Sequence, residues 1–226
     1  SSTPFTVNSL DAMVLNEGGV AIRHIHTTNV KSLVEAKDLG TRLSQGDIIC
    51  FLEDDVVLEY DFLEQILIGF ERCPEMIGCC GVVTNPPASS TMYVMIFNLF
   101  HRGIFEDPRV KVFSDLKSQD NANLIPSSHI SGGLSAWRRF IFSYISFDIY
   151  NGFHMLEDIE FSTRVAIEFG HCMFVNPNAR LAHNCSPINR LDYMNQIKRK
   201  TYEYLLFFRK RKYWRNAVPS IVLLML

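Results

Sequence analysis

Ile48-Ile49-Cys50-Phe51-Leu52 is an apolar run of strand length that passes, with no turn residue, into three adjacent carboxylates, Glu53-Asp54-Asp55. Clustered negative charge repels itself and resists desolvation, so a buried strand ending this way needs compensation. A cation supplies it most simply. Hard divalent ions such as Mg²⁺ or Mn²⁺ take oxygen ligands and often bridge to substrate phosphates. The triplet therefore points to an enzyme that handles a phosphorylated substrate.

The rest of the chain can build a domain around that strand. Its 226 residues suffice for one α/β domain, and 47% hydrophobic content marks it as globular rather than disordered. A formal net charge of −2 gives no case for nucleic acid as a partner. Cys50, Cys73, Cys79, Cys80, Cys172 and Cys185 lack metal-binding CxxC spacing, and Cys50 and Cys79-Cys80 lie in apolar strands. They read as reduced packing thiols of a cytosolic protein. Ser1-Ser2-Thr3-Pro4 has neither the charged nor the apolar part of a signal peptide, and no initiator Met precedes it. With an apolar run, Ile221 to Leu226, at the other end, the chain reads as an excerpt of a longer protein.

Periodicity sets out the elements. Val20 to Ile25 reads as a strand, and Val30 to Leu43 as a helix with Leu33, Ala36, Gly40 and Leu43 on one face. After Ile48 to Leu52, a helix begins at Asp61 with Phe62, Ile66 and Phe70 recurring, and Cys73-Pro74 closes it. Ile77 to Thr84 is the next strand, broken by Asn85-Pro86-Pro87. This alternation predicts a mixed, mostly parallel sheet flanked by helices, with ligands gathering at the carboxyl ends of strands.

Ala88 to Pro126 is irregular, with an apolar helix expected at Met92 to Phe100 and a loop at Phe105 to Asn123. Gly132-Gly133 allows close backbone approach to a ligand. Glu157-Asp158 heads a helix carrying Phe161, Val165 and Phe169, with Gly170 at its C-cap; by itself Asp158 fits an N-cap. Residues 1–190 form the α/β unit in this reading. Residues 191–226 form a basic, aromatic helical segment whose Lys198-Arg199-Lys200 and Arg209 to Lys212 interleave with Tyr204, Phe207 and Phe208, a pattern suited to an anionic membrane surface. Val218 to Leu226 is too short to span a bilayer, which takes about 20 apolar residues.

The order of these motifs resembles family 2 glycosyltransferases with the GT-A (Rossmann-like) fold. In that family a helix ending in A-R-N-x-G leads to A-x-G-D, then to an apolar strand and an acidic triplet. Here the matching residues are Ala36-Lys37-Asp38-Leu39-Gly40, Ser44-Gln45-Gly46-Asp47 and Phe51-Leu52-Glu53-Asp54-Asp55-Val56. A later G-G-x-x-x-x-R segment matches Gly132-Gly133 with Arg138 or Arg139. The acidic pair heading a helix matches Glu157-Asp158, and a strand ending in His matches Ala179 to His183. The family's first strand and nucleotide-binding loop would precede residue 1, so the fold is expected in N-terminally truncated form and the isolated chain is expected to bind nucleotide sugars poorly. Lys37, Asp38 and Glu53 stand where the family carries Arg, Asn and Asp.

The resemblance implies an inverting, metal-dependent glycosyltransferase using a nucleotide-diphosphate sugar, UDP- or GDP-linked, and a saccharide, lipid or protein acceptor. It implies Mn²⁺ or Mg²⁺ held by Asp55 with Glu53 and His183, and donor contacts from Lys37, Asp54, Gly132, Gly133, Trp137 and Arg138. Asp158 would be the general base, with Glu157 beside it orienting donor or acceptor. The expected setting is the cytoplasmic face of a membrane, in cell-surface polysaccharide, glycolipid or glycoprotein synthesis. A metal-dependent nucleotidyltransferase and a non-catalytic binding module of the same fold are the alternatives.

Overall fold

The computed structural model describes residues 11–17, 20–86, 91, 123–150, 153–184 and 193–211. The expected helix at Met92 to Phe100 and most of the loop after it lie outside these residues, as do Cys185 and everything beyond Arg211.

The core is an α/β assembly with a mixed six-stranded sheet. Its strands are β3 (Ile48–Leu52), β4 (Val56–Leu58), β5 (Gly78–Val83), β6 (Ile125–Pro126), β7 (Leu134–Arg138) and β8 (Met173–His183). The order is β3-β7-β5-β8-β4, with β6 also on β8. The expectation of a mostly parallel sheet is corrected: of the five pairings only β5 with β8 is parallel. β7 is the cause. It enters between β3 and β5 running opposite to both, so strands that share a direction never touch there.

Val20 to His26 is a strand as expected, β2, but it pairs only with β1 (Asp11–Glu17) in a separate antiparallel hairpin. The register of the hairpin runs from Asp11 opposite His26 to Glu17 opposite Val20.

Two helices cover the two faces of the sheet. Adjacent strand residues point to opposite sides. Cys79, Leu134, Ala136, Ala179 and Leu181 meet Phe62, Ile66 and Phe70 of α2 (Phe62–Arg72). On the other side Cys80, Val82, Trp137, Met173 and Val175 meet Phe161 and Val165 of α3 (Glu157–Phe169). Phe161 is the hub of that side, with Trp137 edge-on at 5.0 Å and Phe147 stacked at 4.5 Å. The five described cysteines are free, and burial pushes the Cys50 thiol up to about 11. They act as packing groups.

Helix α1 (Leu33–Leu43) starts later than the periodicity suggested, because Ser32 caps it by accepting from the Glu35 amide while Glu35 reaches back to the Lys31 amide. Its inward face also differs from the expected one. Leu33 and Ala36 are exposed, and Val34, Lys37, Asp38 and Thr41 are buried. This face is decided by an ion pair described below, not by apolar spacing. The last described helix, α4 (Tyr193–Arg211), is docked on the domain. Its Tyr204, Phe207 and Phe208 pack on Phe153 and Leu156, so the aromatic side expected to face a membrane lies largely in the core. Among the described residues no helix is long and apolar enough to cross a membrane.

Candidate metal and acid–base site

The sheet itself brings the acids together. Only Glu53, Asp54 and Asp55 separate β3 from β4, which lie at opposite ends of the strand order. Four residue steps reach about 14 Å. A flat sheet of five strands is about 19 Å wide. The sheet must therefore curl enough to bring its two edges within that reach where the triplet lies. β8 ends at this place too, because Val56 pairs with His183 in register.

The result is a compact trio. His183 Nε2 lies 3.2 Å from Glu53 Oε2 and 3.1 Å from Asp55 Oδ1. One ligand atom from each of the three residues falls within 4.8 Å of the others. Asp55 Oδ1 is shielded from solvent and has no partner in hydrogen-bond geometry, His183 included. A buried, unsatisfied carboxylate oxygen is costly. A divalent cation among these atoms would remove that cost, so the residues present fit a metal. Asp54, between the two, is exposed.

Asn85 fixes the histidine. Its Oδ1 accepts from the His183 amide at 2.7 Å and its Nδ2 donates to the His183 carbonyl at 3.2 Å. From the sequence, Asn85 read only as the end of a strand. No local signal links it to a residue 98 positions later.

A second group lies one residue along the Gly132-Gly133 turn. Gly133 accepts from the Glu53 amide at 3.1 Å, and a Cβ on Gly133 would fall on the Glu53 carboxylate. A Cβ on Gly132 would lie 2.6 Å from Lys37 Nζ and 2.7 Å from Glu157 Oε1. Lys37 Nζ pairs with Glu157 Oε1 at 2.8 Å, with side chains 7% and 10% exposed. The Gly132 amide donates to Asp158 Oδ2 at 3.3 Å, and Asp158 Oδ1 accepts from the Ile159 amide at 2.8 Å. Burial, then the charge of Asp158, raises the Glu157 pKa, against the opposing pull of Lys37.

Several expected roles change with this geometry. The close approach that the two glycines permit is to the chain's own carboxylates, not to an open donor site. Lys37 is committed to Glu157 in the interior, so it is not a free cation for a diphosphate. Glu157 is likewise a buried partner of Lys37 and not a surface group facing acceptor. Asp158 is half-buried and sits inside the helix, with Leu156 at the N-cap position, so it is not the cap. Trp137 is 2% exposed, its ring lying against Gly78 and Phe161, and cannot stack on a sugar. Arg138 pairs in register with Ile48, at the opposite end of β3 from the acids, and donates to the carbonyls of Met76 and Phe70. Arg139 is beside Asp47 at that same far end.

Fold and site define an α/β protein with a carboxylate–histidine cluster joined to an acidic pair across a glycine turn. Neither a protein-family model nor a curated protein matches the chain.

Proposed function

We propose that the protein is an inverting glycosyltransferase of the GT-A type, moving a sugar from a UDP- or GDP-linked donor to an acceptor hydroxyl. One observation carries the reading: the Glu53–Asp55–His183 trio and Asp158 are held on either side of two adjacent glycines, whose Cα atoms are about 3.8 Å apart. Sugar transfer needs both a neutralised leaving group and a base nearby.

A divalent cation held by Glu53, Asp55 and His183 would neutralise charge on the departing diphosphate as a Lewis acid. The imidazole among the donors favours Mn²⁺ over Mg²⁺, which prefers all-oxygen shells. Asp54, exposed beside them, is the residue of the triplet free to meet ribose or sugar. Asp158 is the base. Two backbone amides fix its carboxylate, and its partial exposure leaves lone pairs able to take the acceptor proton. The buried Lys37–Glu157 pair holds α1 against α3 and so keeps Gly132 in place. Lys198, Arg199 and Arg209 remain exposed on α4 and support work at the cytoplasmic face of an anionic membrane.

Titration of UDP and GDP with and without Mn²⁺ into a protein that carries the first strand and nucleotide-binding loop the resemblance implies, combined with a nucleoside-diphosphate release assay, tests this. Asp158→Asn should keep metal-dependent nucleotide binding and lose about 100-fold or more in turnover. Absence of Mn²⁺-dependent diphosphate binding, or full turnover in Asp158→Asn, would overturn it.

A further inference from the structure

Helix α3 carries the reactive carboxylate but lacks a cap of its own. Leu156 occupies its N-cap position and makes no side-chain cap bond. The amides there are satisfied from elsewhere in the chain. Glu203 of α4, 1% exposed, accepts from the His154 amide through Oε1 at 3.1 Å and from the Met155 and Leu156 amides through Oε2 at 2.8 and 3.0 Å. Arg199 Nε, one turn back on α4, lies 3.4 Å from Oε1 and shares the charge. A carboxylate at the positive end of a helix is favourable, and three charge-assisted bonds to consecutive amides leave that backbone little freedom.

The next two residues are Glu157 and Asp158. Asp158 must stand where its Oδ2 meets the Gly132 amide, and the segment that sets its position is the one Glu203 holds. Tyr204, Phe207 and Phe208 anchor α4 beneath the same segment through Phe153 and Leu156.

We propose that Glu203 is a positioning residue for Asp158: by binding the three amides ahead of α3 it sets where the carboxylate stands against Gly132. α4 thus governs the acid–base group without touching substrate. The kinetic part of this inference rests on the glycosyl-transfer reading; the geometric part does not.

Glu203→Gln keeps the shape, removes the charge and turns an amide donor toward backbone donors. Two NMR readouts on the full chain need no activity. Hydrogen exchange at His154, Met155 and Leu156 should accelerate by about tenfold to a hundredfold, the loss of one to a few charge-assisted bonds. The Gly132 amide resonance should shift or double, because its acceptor has moved. In turnover assays kcat should fall while the Mn²⁺ affinity at Glu53, Asp55 and His183 is unchanged. Faster exchange at 154–156 with an unmoved Gly132 resonance would overturn the proposal and leave Glu203 a local anchor. Unchanged exchange would overturn it as well. If the protein extended by the implied first strand and nucleotide-binding loop shows no transfer while Gly132 moves in Glu203→Gln, the functional reading fails and the positioning role stands. Should Glu203→Gln not fold, Glu203→Asp, one methylene shorter and still charged, is read by the same two signals.

Discussion

Adding one methyl group at Gly133 should disable the proposed metal cluster, whereas the same change one residue earlier should leave it intact. A Cβ on Gly133 would occupy the space of Glu53 Oε1, Cδ and Cγ, so the Glu53 side chain has to leave. The trio then loses one of its two carboxylates. Disturbing groups that merely orient ligands costs about 10- to 100-fold in metal affinity. Expelling a ligand should reach the upper figure, about 100-fold or 2.8 kcal/mol. In Gly132→Ala the new Cβ meets Lys37 Nζ and Glu157 Oε1 instead, so Mn²⁺ affinity should stay within about twofold while the acid pair is disturbed. Both variants overpack and should lose about 1–3 kcal/mol of stability, which urea titration would report. The discriminating assay is Mn²⁺ titration followed by the free-ion electron paramagnetic resonance signal, with variants compared at equal folded fraction. Wild-type affinity in Gly133→Ala, or equal losses in the two variants, would refute the packing argument.

Two further outcomes are expected. Lys37→Met leaves Glu157 without its partner in the interior, to stay charged there or to take up a proton, and should cost about 3–5 kcal/mol near neutral pH. The pH dependence has a definite sign: the folded Glu157 pKa lies above its ordinary 4.5, so Glu157's contribution to stability is full below 4.5 and lost as pH rises through the folded value. The penalty of Lys37→Met should therefore shrink in acid, where Glu157 is neutral; a penalty independent of pH in denaturant melts would contradict this. Asn85→Ala removes both clamps on the His183 backbone and should weaken Mn²⁺ binding about tenfold with little change in Tm. Unaltered affinity would show that the strand pairing alone sets the histidine.

Much of the site was legible because it follows from local chemistry. Glu53 and Asp55 stood out as charge at a strand end, and the pairing of Val56 with His183 sets the histidine beside them. The strand direction was not legible. β7 invades between β3 and β5, and alternation of strands and helices carries no information about such an insertion. The inward face of α1 was missed for a related reason: Lys37 and Asp38 are buried by partners, Glu157 lying 120 residues away and Arg42 within the same helix, which apolar periodicity ignores. Trp137 and Arg138 were misplaced because a motif match fixes order along the chain but not the end of the strand. In β7 register puts Gly133 by the acids and Arg138 at the other end. Glu203 and Asn85 act on backbone groups of distant segments and leave no pattern in sequence at all.

The most direct test of the proposed metal centre is Mn²⁺ titration of the wild-type chain beside Asp55→Asn, a near-isosteric change at the buried oxygen that lacks a hydrogen-bond partner. The expected result is one bound ion per chain in the wild type and an affinity lower by about 100-fold or more in Asp55→Asn. No bound Mn²⁺ in the wild type, or equal binding by the two proteins, would contradict the assignment of Glu53, Asp55 and His183 as a metal site.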